Sequence, residues 1–597
     1  MNDDATLARD PLRAHDERRD FASARRLPAV AALAAVIGAV SAGAAWALLH
    51  LIRVFTNLFF FQVLSDRAVS PAANTLGLAV IAVPAFGGLL IGLMARFGSE
   101  KIRGHGIPEA IEAILFNKSR MSPRVAVLKP VSSGIAIGSG GPFGAEGPII
   151  MTGGALGSLA GQFFHITGAE RKTLLVAGAV AGMTAVFGTP IAAVMLAVEL
   201  LLFELRPRSL LPVAAACAVA GFMRPLFMDA GPLFPLQTAQ VTPLALLSCV
   251  LAGVLCGALA WLMSTALYRV EDAFHRLPVH WMWWPALGAV AVGIGGYFQP
   301  RALGVGYDVI GDLLHNHLAL SAVIGLLAVK LVIWVIALGS GTSGGVLAPL
   351  LMLGAGMGAL LSPWLPGADP ALWPLVFMAA TLGGMMRAPV MAVVFAFELT
   401  RDANALLPLL AAAATAYGFT VITMGRSILT EKIARRGYHI YREYSIDPLE
   451  RHSVAEVMTK TPQCVDAGET VARALASHFG ASQAHRSFPV TRDGMVVGML
   501  DRAALEGRAP SMPVGELYGV NAPVVALAGE TCRIVATRLA VHGLERLPVV
   551  DDAGSRRLVG LVSRSDLIKV SLSLHAEDHE RQALRVSPLE ALLRRNR

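Results

Sequence analysis

The chain has 597 residues, of which 55% are hydrophobic and 15% charged, with a mean hydropathy of +0.59. Soluble domains carry roughly 25% charged residues, so most of this chain is built for lipid. The net charge of +8 is spread as basic flanks beside apolar runs, which excludes a nucleic-acid patch, and the five cysteines have neither metal nor disulfide spacing.

Residues 1–24 mix acidic and basic side chains and are expected to form a disordered cytoplasmic tail. Apolar runs at 27–49 and 173–198 exceed the roughly 20 residues that a spanning helix needs. The first is longer than the roughly 7 to 15 apolar residues of a signal peptide and is expected to be retained. Further apolar runs follow as far as 421–424. Arg25 and Arg26 precede the first run, and Lys432, Arg435 and Arg436 follow the last, so both termini are expected in the cytoplasm. From His452 on, charges are frequent and the apolar runs stop.

Two segments of the membrane region occur twice. GSGGPFGAEGPIIMTGGALG (138–157) lies without a gap on GSGTSGGVLAPLLMLGAGMG (339–358), with eight identities 201 apart. In the same order, PIAAVMLAVEL (190–200) lies on PVMAVVFAFEL (389–399), with six identities 199 apart. The membrane region is therefore a duplicated unit. Glycine- and proline-broken apolar segments at matching places in two repeats mark a transport site, because irregular backbone at membrane depth must be buried in protein or line a cavity.

A helix that begins inside the membrane presents unpaired N–H groups and about half a positive charge, and glycine lets an ion come close. This is a site for an anion, and it contains one carboxylate, Glu146. GSGTSG (339–344) is formally a dinucleotide fingerprint, but it follows an apolar run too long for a strand. Small residues three apart also let membrane helices touch, which accounts for Gly153, Gly157, Gly354 and Gly358 but not for a carboxylate.

At this point the chain resembles the chloride channel (CLC) family of anion channels and anion/proton exchangers. The resemblance is carried by GHGIPEA (104–110), GAEGP (144–148), GGVLAP (344–349) and SILTEKIARRG (427–437), in family order. It implies a polytopic helical membrane fold of two inverted repeats of tilted, broken helices, in a homodimer with one pore per subunit. An integral protein of a bacterial inner membrane is expected. Glu146 falls on the family's gating glutamate, whose ionised carboxylate occupies the anion path and whose protonation clears it.

The resemblance implies anion contacts from Gly104, His105, Gly106, Ala145, Glu146, Gly147, Val346, Leu347 and Leu429. His105 stands where the family commonly has serine, Leu429 where it has tyrosine, Leu347 where phenylalanine is usual, and Ala145 where arginine is usual. Imidazole can donate or accept a hydrogen bond. It could bind a halide or orient a polyatomic anion, so chloride is the family default and bicarbonate the alternative. The second glutamate of the family's exchangers falls on Leu200, leaving the neighbouring Glu199 and Glu204 as candidates for a proton route and passive flow as the alternative to exchange.

The expected membrane domain is 25–437, followed by a linker at 438–451. Residues 452–507 and 512–572 resemble a pair of cystathionine beta-synthase (CBS) domains, and 573–597 is a terminal tail. Such a pair can hold an adenine nucleotide. Ser563 and Asp566 match the ribose-binding position of the second module, whereas the first has Ala504 there. No cofactor is expected to be required. With no metal spacing and no catalytic triad, an enzyme is not expected; a membrane-bound nucleotide sensor is the reading from another class.

Overall fold

Proline at the first or second position opens many of the helices, among them Pro123–Gly138, Pro190–Leu196, Pro207–Phe227 and Pro389–Thr400. There its missing N–H is no loss and its fixed φ suits the helix. In this computed structural model the described residues are 26–438, 440, 447–480, 483, 485–519 and 523–570. The expected tails at 1–24 and 573–597 lie outside them, as do 439 and 441–446 of the linker. The chain divides into two units near residue 442.

Among the described residues of the membrane unit, seven helices are long and apolar enough to cross a bilayer, from Leu27–Phe61 to Leu406–Arg435. The apolar run at 173–198 is not one span. Helix Gly168–Phe187 stops at Gly188, which has φ +71°, and a new helix starts at Pro190. A left-handed glycine ends the first helix, and proline cannot continue it. Two helices finish in a π-helical turn, Asn57–Phe61 and Ala197–Leu202.

The core lies on helices Gly168–Phe187 and Leu372–Met386, the second buried at every residue. Each packs on one of the duplicated glycine helices, Glu146–Phe163 and Leu347–Leu361. A Cβ at Gly153 or Gly157 would strike the carbonyls of Gly178 and Leu174, and one at Gly354 or Gly358 those of Phe377 and Trp373. Close packing is thus the role of these four glycines.

The two inverted repeats meet at matching residues. Gly144 N–H donates to the Gly345 carbonyl at 3.3 Å, and Gly345 N–H donates back to Gly144 at 3.0 Å. These two glycines are mates in the 201-residue repeat, so the local two-fold axis runs between them. The other pair of segments is exchanged in the same way. The Glu199 carboxylate accepts from Val390 and Met391 N–H (3.3 and 2.9 Å), and the Glu398 carboxylate from Ile191 and Ala192 N–H (3.0 and 2.8 Å). Each glutamate caps the helix start of the other repeat.

Among its described residues, the C-terminal, soluble unit holds two three-stranded sheets of one topology. Strands β1 (Val465–Asp466), β2 (Ser487–Arg492) and β3 (Met495–Asp501) form one, and β4 (Ala526–Leu527), β5 (Arg546–Val550) and β6 (Leu558–Ser563) the other. In each, the first pair is parallel and the second antiparallel. The sheets touch where Leu558 N–H donates to the Gly494 carbonyl at 3.1 Å and Val496 N–H to Arg556 at 3.0 Å. Chain order and packing differ at the module edges. Val454 is buried in the second module's core and Val514 in the first's, so each core takes a residue from outside its own stretch of 452–507 or 512–572.

Candidate anion site at the repeat interface

Glu146 is the first residue of helix Glu146–Phe163, and its side chain crosses to the start of the matching helix in the other repeat. Its Oε1 accepts from the N–H groups of Leu347 and Ala348, the second at 3.3 Å. These are the first two residues of helix Leu347–Leu361, where N–H groups have no partner within the helix. Glu146 is wholly buried, and its Oε2 has no hydrogen-bond partner among the described residues. Ala145 and Val346 sit at the caps of the two helices.

The loop at 104–106 closes on this point. Gly104 and Gly106 have φ +82° and +91°, a conformation that side chains resist. Gly104 bridges to Ser343. A Cβ on Gly106 would press on the Gly147 carbonyl, and one on Gly147 would strike that of His105. The structure thus brings Gly104, His105, Gly106, Ala145, Glu146, Gly147, Val346 and Leu347 together. His105 is 2% exposed, and neither ring nitrogen has a partner among the described residues. A histidine kept for structure would bond to backbone; this one does not.

Leu429 is buried on helix Ile428–Arg435. That helix is bound to the same loop through Glu109, which accepts from Gly106 N–H at 2.9 Å and pairs with Lys432 at 3.3 Å and Arg436 at 3.0 Å.

Two buried lysines complete the site. Lys129 Nζ donates to the carbonyls of Ile102 and Gly104, both at 2.8 Å, and Lys330 Nζ to those of Ala302 and Gly304 at 3.0 and 2.9 Å. They expose a third repeated segment, GHG at 104–106 against GVG at 304–306, 200 apart, with the lysines 201 apart. The signal was present in the sequence but short. Each of these loops borders its own cavity. One of about 550 Å³ is lined by Arg103, Gly104, Glu109, Lys432 and Arg436. The other, of about 790 Å³, is lined by Gly304, Gly306 and Tyr307.

The candidate proton residues are placed differently. Leu200 is buried among apolar side chains. Glu199 is occupied as a helix cap: its carboxylate accepts from the backbone of the other repeat. Glu204 accepts from Ser209 Oγ at 2.6 Å and lies within 3.9 Å of Lys172, Arg206 and Arg208.

In the soluble unit Ser563 and Asp566 form a reciprocal cap on the helix that begins at 564. Asp566 Oδ2 accepts from Ser563 N–H at 2.9 Å and Oγ at 2.6 Å, while Oδ1 takes Lys569 Nζ at 2.6 Å. Burial alone would raise this carboxyl, but Lys569 and Ser563 together hold it below its ordinary value. Lys569 thus occupies one oxygen of the Asp566 carboxylate. Among the described residues no cluster of ligands suits a metal ion.

The family model for the voltage gated chloride channel matches residues 87–421, and that for the CBS domain matches 454–505 and 514–573. A putative chloride channel protein, ClcB-like, from Ralstonia nicotianae is 29% identical over 416 residues, covering 68% of this chain and 96% of its own. The voltage-gated ClC-type chloride channel ClcB of Citrobacter koseri is 30% identical over 436 residues, covering 70% and 98%. The crystal structure of a slow cyanobacterial Cl−/H+ antiporter superposes with a TM-score of 0.60 at 24% identity, over 70% of this chain and 98% of that one. Two helix starts meeting across a duplicated unit, matched along nearly the whole of these relatives, make the chain a member of the voltage-gated chloride channel (CLC) family: an anion-transporting integral membrane protein with a C-terminal CBS pair.

Proposed function

We propose that the protein passes chloride across a bacterial inner membrane, gated by Glu146. The observation that carries this is the Glu146 carboxylate on the N–H groups of Leu347 and Ala348. An anion would use the same donors, so the ionised side chain and the ion compete for one place. Protonation removes the charge that holds the side chain there, and the ion takes over. His105, with two unpartnered ring nitrogens, would add an N–H donor to the backbone ligands at Gly147, Val346 and Leu347.

The same geometry favours passive flow over exchange. Leu200 cannot carry a proton, and Glu199 is held as a cap. The reading also carries a homodimer with cytoplasmic termini and an adenine nucleotide on Ser563 and Asp566 of the CBS pair. The test is chloride efflux from proteoliposomes with external pH recorded together. Efflux that rises as pH falls, without stoichiometric proton movement, is expected. Folded protein with no efflux would reject chloride, and proton movement in fixed ratio would reject passive flow.

A further inference from the structure

Tyr307 opens helix Tyr307–Leu314, directly after the second glycine of GVG. Its ring is held edge-on by Phe187 and Phe234, with centroids 6.1 and 6.3 Å away. Its hydroxyl is buried and has no hydrogen-bond partner among the described residues. Folded proteins keep few such groups, because a buried donor without an acceptor is costly. Where one is kept beside a moving part, the natural question is what it meets in another state.

Glu146 answers it on three counts. A Cβ on Gly306, the residue before Tyr307, would strike Met352 on the helix whose first N–H groups hold Glu146, so Tyr307 follows directly on a contact with that helix. The Glu146 Oε2 is buried and also lacks a partner among the described residues. Tyr307 lines the cavity of about 790 Å³ together with Gly306, Ile137 and Val186, so there is room for a side chain to enter. The matching position in the other repeat, 200 residues earlier, is Ile107, which is fully buried and offers no hydrogen bond. His105, the other unpartnered side chain of the site, belongs to the loop bordering the opposite cavity, where the function proposed above has it meeting the anion.

We propose that Tyr307 is the second seat of the gate. When the Glu146 side chain leaves the Leu347 and Ala348 N–H groups, it turns into the Tyr307 cavity and hydrogen-bonds to the phenol. A phenol can donate to a carboxylate or accept from a carboxylic acid, so the seat serves either form. This stabilises the open state, in which the helix start is free for the ion. The inference rests on the reading of Glu146 as the gate.

The experiment is a double-mutant cycle on initial chloride efflux from proteoliposomes at one fixed pH: wild type, Tyr307→Phe, Glu146→Ala, and both together. Tyr307→Phe removes one oxygen and keeps the ring in its cage. Efflux should fall about fivefold, the worth of one ordinary hydrogen bond. In the Glu146→Ala background the same change should alter efflux by less than about twofold, because no carboxyl remains to be seated. Equal losses in both backgrounds would make Tyr307 a structural residue, and no loss in either would remove the seat; both overturn the proposal. The Glu146→Ala arm, measured at two pH values, separates the failures. If it keeps the wild-type pH response, the gate itself is wrong; if it loses that response while Tyr307→Phe behaves as wild type, only the seat is wrong.

Discussion

The Glu146 carboxylate is bound by the backbone of Leu347, the residue that holds its own position in the other repeat. Two carboxylates facing each other across the axis would repel, and one must be absent for the other to dock. The duplicated loops therefore build a symmetric pair of helix starts, one of which holds the acidic side chain of the other.

Removing that side chain should leave the path open. Glu146→Ala is expected to make chloride efflux vary less than about twofold between about pH 5 and about pH 8, a range over which free carboxyls stay ionised. Wild-type efflux should rise as pH falls, since the proton removes the charge that docks on Leu347 and Ala348. A steep response that survives in the variant would take the gate away from Glu146.

Neither ring nitrogen of His105 has a hydrogen-bond partner among the described residues. Replacing it with serine should change the relative efflux of chloride and nitrate by roughly three- to tenfold, the effect of altering one hydrogen bond to an ion. His105→Leu tests the structural alternative. Because neither nitrogen has a partner among the described residues, this change should not lower the thermal unfolding midpoint, whereas a histidine bound to backbone would cost stability when lost.

The exchanged caps make a prediction about stability alone. Glu199→Gln and Glu398→Gln should each cost about 1 kcal/mol, the usual worth of a charged cap at a helix start. Thermal unfolding in detergent would measure it. Efflux and any accompanying proton movement should be unchanged, and a change in proton movement in Glu199→Gln would restore that residue to a proton route.

Nucleotide binding at the CBS pair should depend on the ion pair that now fills it. Asp566→Ala should abolish ATP or AMP binding measured by calorimetry. Lys569→Ala should strengthen it severalfold, because it frees the Asp566 oxygen that the lysine now occupies. Unchanged affinity in both variants would put the nucleotide elsewhere.

Acid should loosen the start of the soluble unit. His452 and Ser453 hold the Glu456 carboxyl down to about 2. A depressed carboxyl stabilises the fold above its ordinary value near 4.3, and that stability is lost as pH falls through 4 toward 2. Glu456→Gln should therefore speed amide exchange at Val454–Val457 at neutral pH and make little difference at about pH 2.

Much of this architecture was legible in the sequence, and the parts that were not share a cause. The repeats at 138 and 339 and at 190 and 389 have enough identities to be seen in one chain. They located Glu146 and its partner helix. The GHG and GVG pair was missed because two glycines are too few to stand out, although Lys129 and Lys330 follow at nearly the same spacing. The break at Gly188 was written as Gly-Thr-Pro but hidden inside an apolar run. Glu199 and Glu398 are repeat mates, which points to a structural role, but the helix starts that they cap could not be read: each contact joins residues about 200 apart, and no local pattern announces it. The same is true of Glu109, whose partners Lys432 and Arg436 lie more than 300 residues further on.

The paired hydrogen bonds between Gly144 and Gly345 carry a last consequence. They repeat the same backbone on both sides of the local axis, so next to it the two sides differ in side chains: Glu146 against Leu347, His105 against Val305, Tyr307 against Ile107. Further out they differ in size as well, with about 550 Å³ beside Gly104 and about 790 Å³ beside Gly304. A path built on this pair would owe any rectification to those differences.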